Sequence, residues 1–404
     1  MTATRRLFDE NSHLFDFTAK ILSITPIDED TLSVVLDATA FFPEGGGQAP
    51  DTGTLCGFSV SDVQEHDGVI YHTVKADASF PAAGCTAEGH LDREVRLRKM
   101  QNHSGEHIIS GIVHRIYGYT NVGFHLGNGD VTLDFDGVLT REQLNEIEDE
   151  ANRIVAACLP VKAYYPSPEV LATLAYRAKL ELTENVRMVE IGQGEEMMDR
   201  CACCAPHVDN TGEIGLIKLL DFIHYKGGVR IHMLCGLDAL EDYRQRYTDV
   251  ALLAARLSVK QQELVAGFDR LQAEIEAQKQ IIFDLRQTLL SMTLASLPET
   301  DGSLCLFEET GDANAMRRLL NEAAPKCKLL CGVFHGDDQS GYRYFIGRGD
   351  PSIDLKQYAK DINAALNAKG GGSSEMLQGR AGATKAQIQA FFDTFYICPR
   401  ASQA

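Results

Sequence analysis

Apolar residues in the first ninety positions fall in short runs separated by turn signals. Residues 21–24, 31–36 and 69–74 are rich in Ile, Leu, Val and Thr, and they predict an all-β segment over residues 1–90. The period then changes. Val95, Leu97, Met100, Ile108, Ile112, Val113 and Ile116 form one face of a helix running from Glu94 to Tyr117, with Gly118 as its stop. Alternation returns at residues 123–126 and 131–135, which read as two strands joined by a turn at 127–130. Thr140 caps a further helix, with Gln143 where a capping box needs it, and that helix reaches about Cys158. A shorter helix is expected over about residues 168–179. Strands follow at 186–191, 217–223 and 228–234. Residues 91–240 thus read as an α+β domain, with helices against a largely antiparallel sheet.

From 241 to 296 the pattern is helical throughout and nearly free of Gly and Pro. Leu252, Leu257, Leu264, Phe268, Leu271, Ile275, Ile282, Leu285 and Leu289 keep the step of a long helix or helical hairpin, suited to a spacer or to self-association. Residues 297–404 return to α/β, with strands near 328–334 and 342–346 and a helix over about 353–367. A glycine-rich segment, Gly370, Gly371 and Gly372, precedes the final helix. Glycines, hydroxyls and Arg380 together suit a phosphate or an RNA backbone, and a plain linker is the simpler reading. The fold class expected is α+β, in several domains.

Composition narrows the function classes. The 404 residues carry a formal charge of −19, which argues against a protein that coats nucleic acid through broad positive charge. Arg93, Arg96, Arg98 and Lys99 nevertheless read as a local basic patch before the histidine helix. No apolar run approaches a membrane span, and Met1–Arg6 lacks the apolar core of a secretion signal. Eleven cysteines, several of them closely spaced, fit metal ligation or free thiols in a reducing cytoplasm.

The candidate chemistry lies in two half-sites. His103 and His107 stand four apart on the helix, one turn apart on one face, able to grip a single ion. A hydrogen-bonded buried pair is the simpler reading of two such histidines taken alone. A hundred residues on, Cys203 and His207 repeat the four-residue step, and three nitrogens with one sulfur suit Zn²⁺. Cys201 and Cys204 compete for the place of the sulfur. Glu106, between the histidines, invites a general-base role, although its offset of roughly 100° from His107 favours a place behind the ligands or in solvent. Gly45, Gly46 and Gly47 let the backbone approach a ligand closely.

With both half-sites placed, the chain resembles the editing domain of alanyl-tRNA synthetase and its free-standing AlaX-type relatives. The likeness rests on His-x₃-His, Cys-x₃-His and Thr211-Gly212-Glu213-Ile214-Gly215. The stretch Phe42–Gln48 with Asp51-Thr52-Gly53 resembles the glycine-rich motif of that family's N-terminal β-barrel, and the helical and Gly370–Gly372 segments resemble the synthetase's C-terminal DHHA1 domain. Where the family commonly has Cys-Gly-Gly-Thr-His, this chain has Cys203-Cys204-Ala205-Pro206-His207. The resemblance implies a β-barrel over 1–90, a zinc editing domain over 91–240, a helical segment over 241–296 and a DHHA1-like domain over 297–404. It implies one Zn²⁺ on His103, His107, Cys203 and His207, and hydrolysis of mischarged tRNA(Ala). Gln48 and Glu106 are the expected catalytic side chains. Gly45–Gly47, Arg230 and Gly370–Gly372 are the expected substrate contacts. A homodimer through the helical and C-terminal segments is also implied. The competing readings are a non-catalytic, zinc-stabilised tRNA-binding protein and an editor of Ser-tRNA(Thr).

Overall fold

The computed structural model describes residues 2–127, 131–178, 186–308 and 312–396. It divides into two compact units, Met1–Leu253 and Ala254–Ala404.

After a short strand and helix over Arg5–Glu10, the first unit builds six barrel strands: β1 (Asp16–Pro26), β2 (Thr31–Leu36), β3 (Gly53–Leu55), β4 (Phe58–His66), β5 (Val69–Lys75) and β6 (Thr86–Leu91). They close into an antiparallel barrel in the order β1-β2-β5-β4-β3-β6. Closure leaves no open sheet edge. Inward-facing Ile21, Val34, Leu55, Val60, Ile70 and Val74 fill its core, each at most 1% exposed. Ala205, from the cysteine loop far along the chain, is buried in the same cluster.

Helix α1 (Arg93–Tyr117) follows the barrel, and the Asp92 side chain caps it by accepting from the Val95 N–H. Strands β7 (Asn121–Leu126) and β8 (Val131–Phe135) come next, with the predicted turn at 127–130 reaching beyond the described residues. Helix α2 (Arg141–Ala156) carries the capping box between Thr140 and Gln143. Strands β9 (Val161–Tyr164), β10 (Met188–Ile191) and β11 (Asp199–Ala202) form a small antiparallel sheet. Strands β12 (Ile217–Tyr225) and β13 (Gly228–Cys235) complete a four-stranded antiparallel sheet of order β12-β13-β8-β7. Apolar residues of α1, α2 and this sheet share one core, including Met100, Ile112, Leu133, Ile147 and Ile231.

The helix expected over 168–179 is not formed. Only Pro168–Leu171 is helical, after which the described chain is irregular, with Arg177 bridging to Cys201. The Ala and Leu residues there suit a helix, but pairing of Arg177 with β11 overrides that propensity. The basic patch is not a patch either. Arg96 is buried in an ion pair with Asp51, and Lys99 is buried and donates to the Pro50 carbonyl. Arg98 pairs with Glu94, Asp238 and Glu241. Only Arg93 remains largely exposed, stacked over Phe15.

Helix α3 (Gly236–Arg256) begins in the first unit, and α4 (Leu264–Ser296) lies in the second. The long helical stretch is therefore broken near residues 257–263. The rest of the second unit comprises β14 (Leu304–Phe307), α5 (Ala313–Ala323), β15 (Leu330–Asp337), β16 (Gly341–Arg348), α6 (Leu355–Ala365), β17 (Ala368–Gly372), β18 (Met376–Ala381) and α7 (Lys385–Thr394). Its sheet runs β14-β15-β16-β18-β17. Gly370–Gly372, read as a loop, is instead an edge strand paired with β18. The reason is close packing: a Cβ at Gly370 would overlap the Tyr344 hydroxyl. No helix among the described residues is long and apolar enough to cross a membrane.

Candidate metal centre

Helix α1 is unusual in what it buries. Gln101, Asn102, His103, Ser104, Glu106, His107 and Ser110 are all buried polar residues. Each such group costs free energy unless it is hydrogen-bonded. Gln101 and Asn102 bond the start of α3 and the end of β13, through the N–H groups of Leu237 and Cys235. The others converge on one centre.

There, ligand atoms of His103, His107, Cys203 and His207 all lie within 4.8 Å of one another. The Cys203 Sγ is 3.5 Å from His103 Nε2 and 3.3 Å from His207 Nε2. A tetrahedral zinc shell with ordinary Zn–N and Zn–S bonds has ligand–ligand edges of roughly 3.3–3.8 Å, so this donor set fits the ion in kind and in spacing. The three imidazole rings are mutually edge-on or tilted, with centroids 4.6–5.5 Å apart.

Each histidine is oriented through its other nitrogen. His103 Nδ1 lies 2.8 Å from Gln48 Oε1, His107 Nδ1 lies 3.2 Å from Asp199 Oδ2, and His207 Nδ1 lies 3.0 Å from Ser104 Oγ. The Gln48 and Asp199 oxygens only accept, so in His103 and His107 the proton sits on Nδ1 and Nε2 is left for an ion. Asp199 is itself gripped by Arg177, with two bonds of 2.7 Å. Burial works against the Asp199 carboxylate, but the bonds with His107 and Arg177 outweigh it and hold the carboxyl below its usual range. Burial, helped by the neighbouring imidazoles, pushes His207 well below the ordinary histidine value and keeps it neutral. Burial also pushes the Cys203 thiol up, so a bound cation is what would draw off its proton.

The cysteine loop is placed by packing and by one arginine. Ala205 anchors in the barrel core, and Cys203 packs against both clusters of the first unit. Arg187 donates to the carbonyls of Cys203 and Ala205, at 3.2 and 2.7 Å, and pairs with Asp9. The four-donor set contains Cys203. Cys201 instead approaches His107 and Asp199, and Cys204 lies beside Gly45 and Gly46.

The glycine motif reaches the same place. Gly45 and Gln48 close a tight turn by reciprocal backbone bonds of 3.1 and 3.0 Å. Gly46 and Gly47 adopt φ of 60° and 85°, and a Cβ at Gly47 would overlap the Phe124 carbonyl on β7. Phe124 in turn packs on the His103 ring at 4.8 Å. Gln48 is 1% exposed, and while its oxygen meets His103, its amide Nε2 has no hydrogen-bond partner among the described residues.

Glu106 is buried rather than in solvent. Its Oε1 accepts from Ser110 Oγ and Asn121 Nδ2, at 2.7 and 2.6 Å, and its Oε2 is 3.7 Å from His107 Nε2. Arg230 forms a two-bond pair with Asp134, at 2.6 and 2.7 Å, and stacks on Tyr225. Gly370–Gly372 belongs to the second unit. Sequence reasoning missed Asp199, Arg177, Ser104, Asn121, Arg187 and Phe124. None carries a spacing signal, and Ser104 alone stood inside the histidine motif.

An α+β scaffold with a buried His₃Cys centre behind a glycine turn defines a class, and comparison with known sequences agrees. Residues 186–232 match the family described as threonyl and alanyl tRNA synthetase second additional domain, and residues 10–95 match tRNA synthetases class II (A). The chain is similar to the alanyl-tRNA editing proteins and to the corresponding regions of the alanyl-tRNA synthetases. It is 26% identical over 400 residues to the alanyl-tRNA editing protein AlaX-L of Pyrococcus horikoshii, covering 95% of this chain and 96% of that protein. It is 28% identical to the alanine–tRNA ligase of Ignicoccus hospitalis over 385 residues, 91% of this chain and 40% of the ligase. With the ligase of Caldivirga maquilingensis it shares 30% identity over 393 residues, 93% of this chain and 42% of that one. The chain thus spans about two fifths of the length of these ligases.

Proposed function

We infer that this chain is a trans-editing hydrolase that deacylates mischarged tRNA(Ala), chiefly Ser-tRNA(Ala) and also Gly-tRNA(Ala). The observation that carries the reading is the convergence of His103, His107, Cys203 and His207 with the turn that presents Gln48. The likeness to AlaX-L along nearly the whole of both chains supports it.

The chemistry has a physical motive. A pocket sized for alanine rejects serine by only about 10²-fold, because an added hydroxyl is poorly excluded, and size cannot reject glycine. A second site that hydrogen-bonds the serine hydroxyl discriminates against alanine by roughly 10⁴ or more, since alanine leaves its polar groups unmatched. Gln48 supplies such a group, a buried amide donor with no protein partner among the described residues.

His103, His107, Cys203 and His207 would hold Zn²⁺, with one ligand yielding its place to water or substrate. The ion would polarise the ester carbonyl and acidify water. Gln48 orients His103 and meets the aminoacyl group, and the Gly45–Gly47 backbone lies against the terminal adenosine. Glu106, steadied by Ser110 and Asn121, takes the proton of the attacking water. Water adds to the ester carbonyl, the C–O bond to the ribose breaks, and the ribose oxygen leaves with the proton. The exposed edge strand Gly370–Gly372 contributes backbone contacts to the RNA. Arg230, paired with Asp134 and partly exposed, meets a phosphate near the acceptor end.

Deacylation of Ser-, Gly- and Ala-tRNA(Ala) tests the reading, with Ser-tRNA(Thr) alongside. Serine released fastest from tRNA(Ala), with activity lost in His103→Ala/Cys203→Ala together with bound zinc, is the expected result. Equal rates on all four substrates, or no rate above the metal-free background, would overturn it.

A further inference from the structure

Two adjoining hollows, of about 320 and 240 Å³, share the lining residues His114, Tyr176 and Arg177. Arg115, Arg200 and Asp199 extend the larger, and Asn121 extends the smaller. The groove they form touches the back of the metal centre. Asp199 bonds the ligand His107, and Asn121 bonds Glu106.

Its lining is rich in arginine, each guanidinium ion-paired with one carboxylate. Three arginines and a histidine line it against one carboxylate, Asp199, in a protein of net charge −19. Arg115 and Arg200 are balanced by Glu150 and Glu190, neither of which lines the groove. The Arg115 pair is half in solvent, where an ion pair is weak. Exchanging that carboxylate for a phosphate therefore costs little. Guanidinium groups beside an aromatic ring are the combination that binds a single-stranded nucleotide end, arginine on phosphate oxygens and the ring against a base.

We propose that this groove receives the single-stranded stretch of the RNA just before its 3′-terminal adenosine, with Arg115 and Arg200 on its phosphates and Tyr176 stacked on a base. Arg177 holds Asp199, and so His107, at the point where the groove meets the centre. The proposal rests on the hydrolase reading for the identity of the strand, and on the groove's own lining for its position.

The test uses the full chain with its metal and a fluorescent single-stranded RNA ending in cytidine-cytidine-adenosine, titrated by anisotropy at several salt concentrations. Arg115→Gln lowers the slope of log affinity against log salt by about one. Tyr176→Ala weakens binding by roughly tenfold. Both raise KM for Ser-tRNA(Ala) and leave kcat unchanged. Wild-type affinity and KM in both variants would overturn the proposal. A wild-type protein that binds the RNA through these residues yet hydrolyses no aminoacyl-tRNA would sink the hydrolase reading alone.

Discussion

The side-chain oxygen of Gln48 lies 2.8 Å from Nδ1 of His103. One hydrogen bond thus joins the turn of the barrel segment to the metal helix, across 55 positions of sequence. The amide oxygen meets the His103 ring, and the amide nitrogen, which has no hydrogen-bond partner among the described residues, is the group that the proposed function assigns to substrate. Gln48→Ala removes both. Zinc affinity should fall by about 10–100-fold, the usual effect of losing such an orienting partner, and the preference for serine over alanine should shrink with it. Chelator competition and paired deacylation rates measure the two effects. Unchanged zinc affinity in the variant would detach Gln48 from the metal centre.

The four side chains that could hold a metal stood out in the sequence because each pair shares a four-residue step. His103 and His107 are one turn apart, and Cys203 and His207 repeat the step. The supporting residues obey no spacing. Asp199 reaches His107 from a strand, and Arg177 reaches Asp199 from an irregular segment that composition had assigned to a helix. Charge misled for the same reason. Arg96 and Lys99 look like a surface patch until Asp51 and the Pro50 carbonyl, 45 and 49 positions away, are brought against them. Sequence reports which groups exist. Burial decides whether they face solvent, and burial here depends on contacts between distant segments.

Zinc uptake should release protons in a defined way. His207 is already neutral, because burial lowers its proton affinity, so it gives up none. Cys203 is a thiol before binding, because burial raises its pKa, and must lose its proton to ligate. Log zinc affinity should therefore rise with pH by about one unit per pH unit around neutrality. Titration calorimetry in buffers of different ionisation enthalpy counts the proton directly. A count near zero in wild type, or the same count in Cys203→Ala as in wild type, would remove the sulfur from the ligand set.

Arg96 and Asp51 are each 1% exposed and bonded to one another, and Asp51 also accepts from the Phe42 N–H at 2.7 Å. Phe42 leads into the glycine turn. Asp51→Ala leaves a buried guanidinium without its counter-charge and should cost about 3–5 kcal/mol. Urea unfolding followed by circular dichroism gives the value. Because the turn loses its brace, zinc affinity should fall as well. A loss below about 1 kcal/mol would mean that water reaches Arg96 and that the pair is not what holds helix to barrel.

Stability toward acid should depend on His72, inside the barrel. Its Nδ1 lies 3.0 Å from the Val34 carbonyl and its Nε2 lies 2.9 Å from Thr39 Oγ1. A carbonyl only accepts, so Nδ1 carries the proton and Nε2 accepts from the threonine hydroxyl. A second proton on the ring would cancel that bond and place a charge in an apolar core. Burial accordingly lowers the His72 pKa to about 4, against the opposing pull of the Val34 carbonyl. The unfolded chain titrates near the ordinary value of 6.5, so between these limits it binds more protons than the folded one. This contribution to stability is complete above pH 6.5 and is lost as pH falls toward 4, amounting to about 3 kcal/mol. Denaturant melts of wild type and His72→Gln across that range test it, with a shallower pH slope expected in the variant. Identical slopes would show that some other group governs the acid limb.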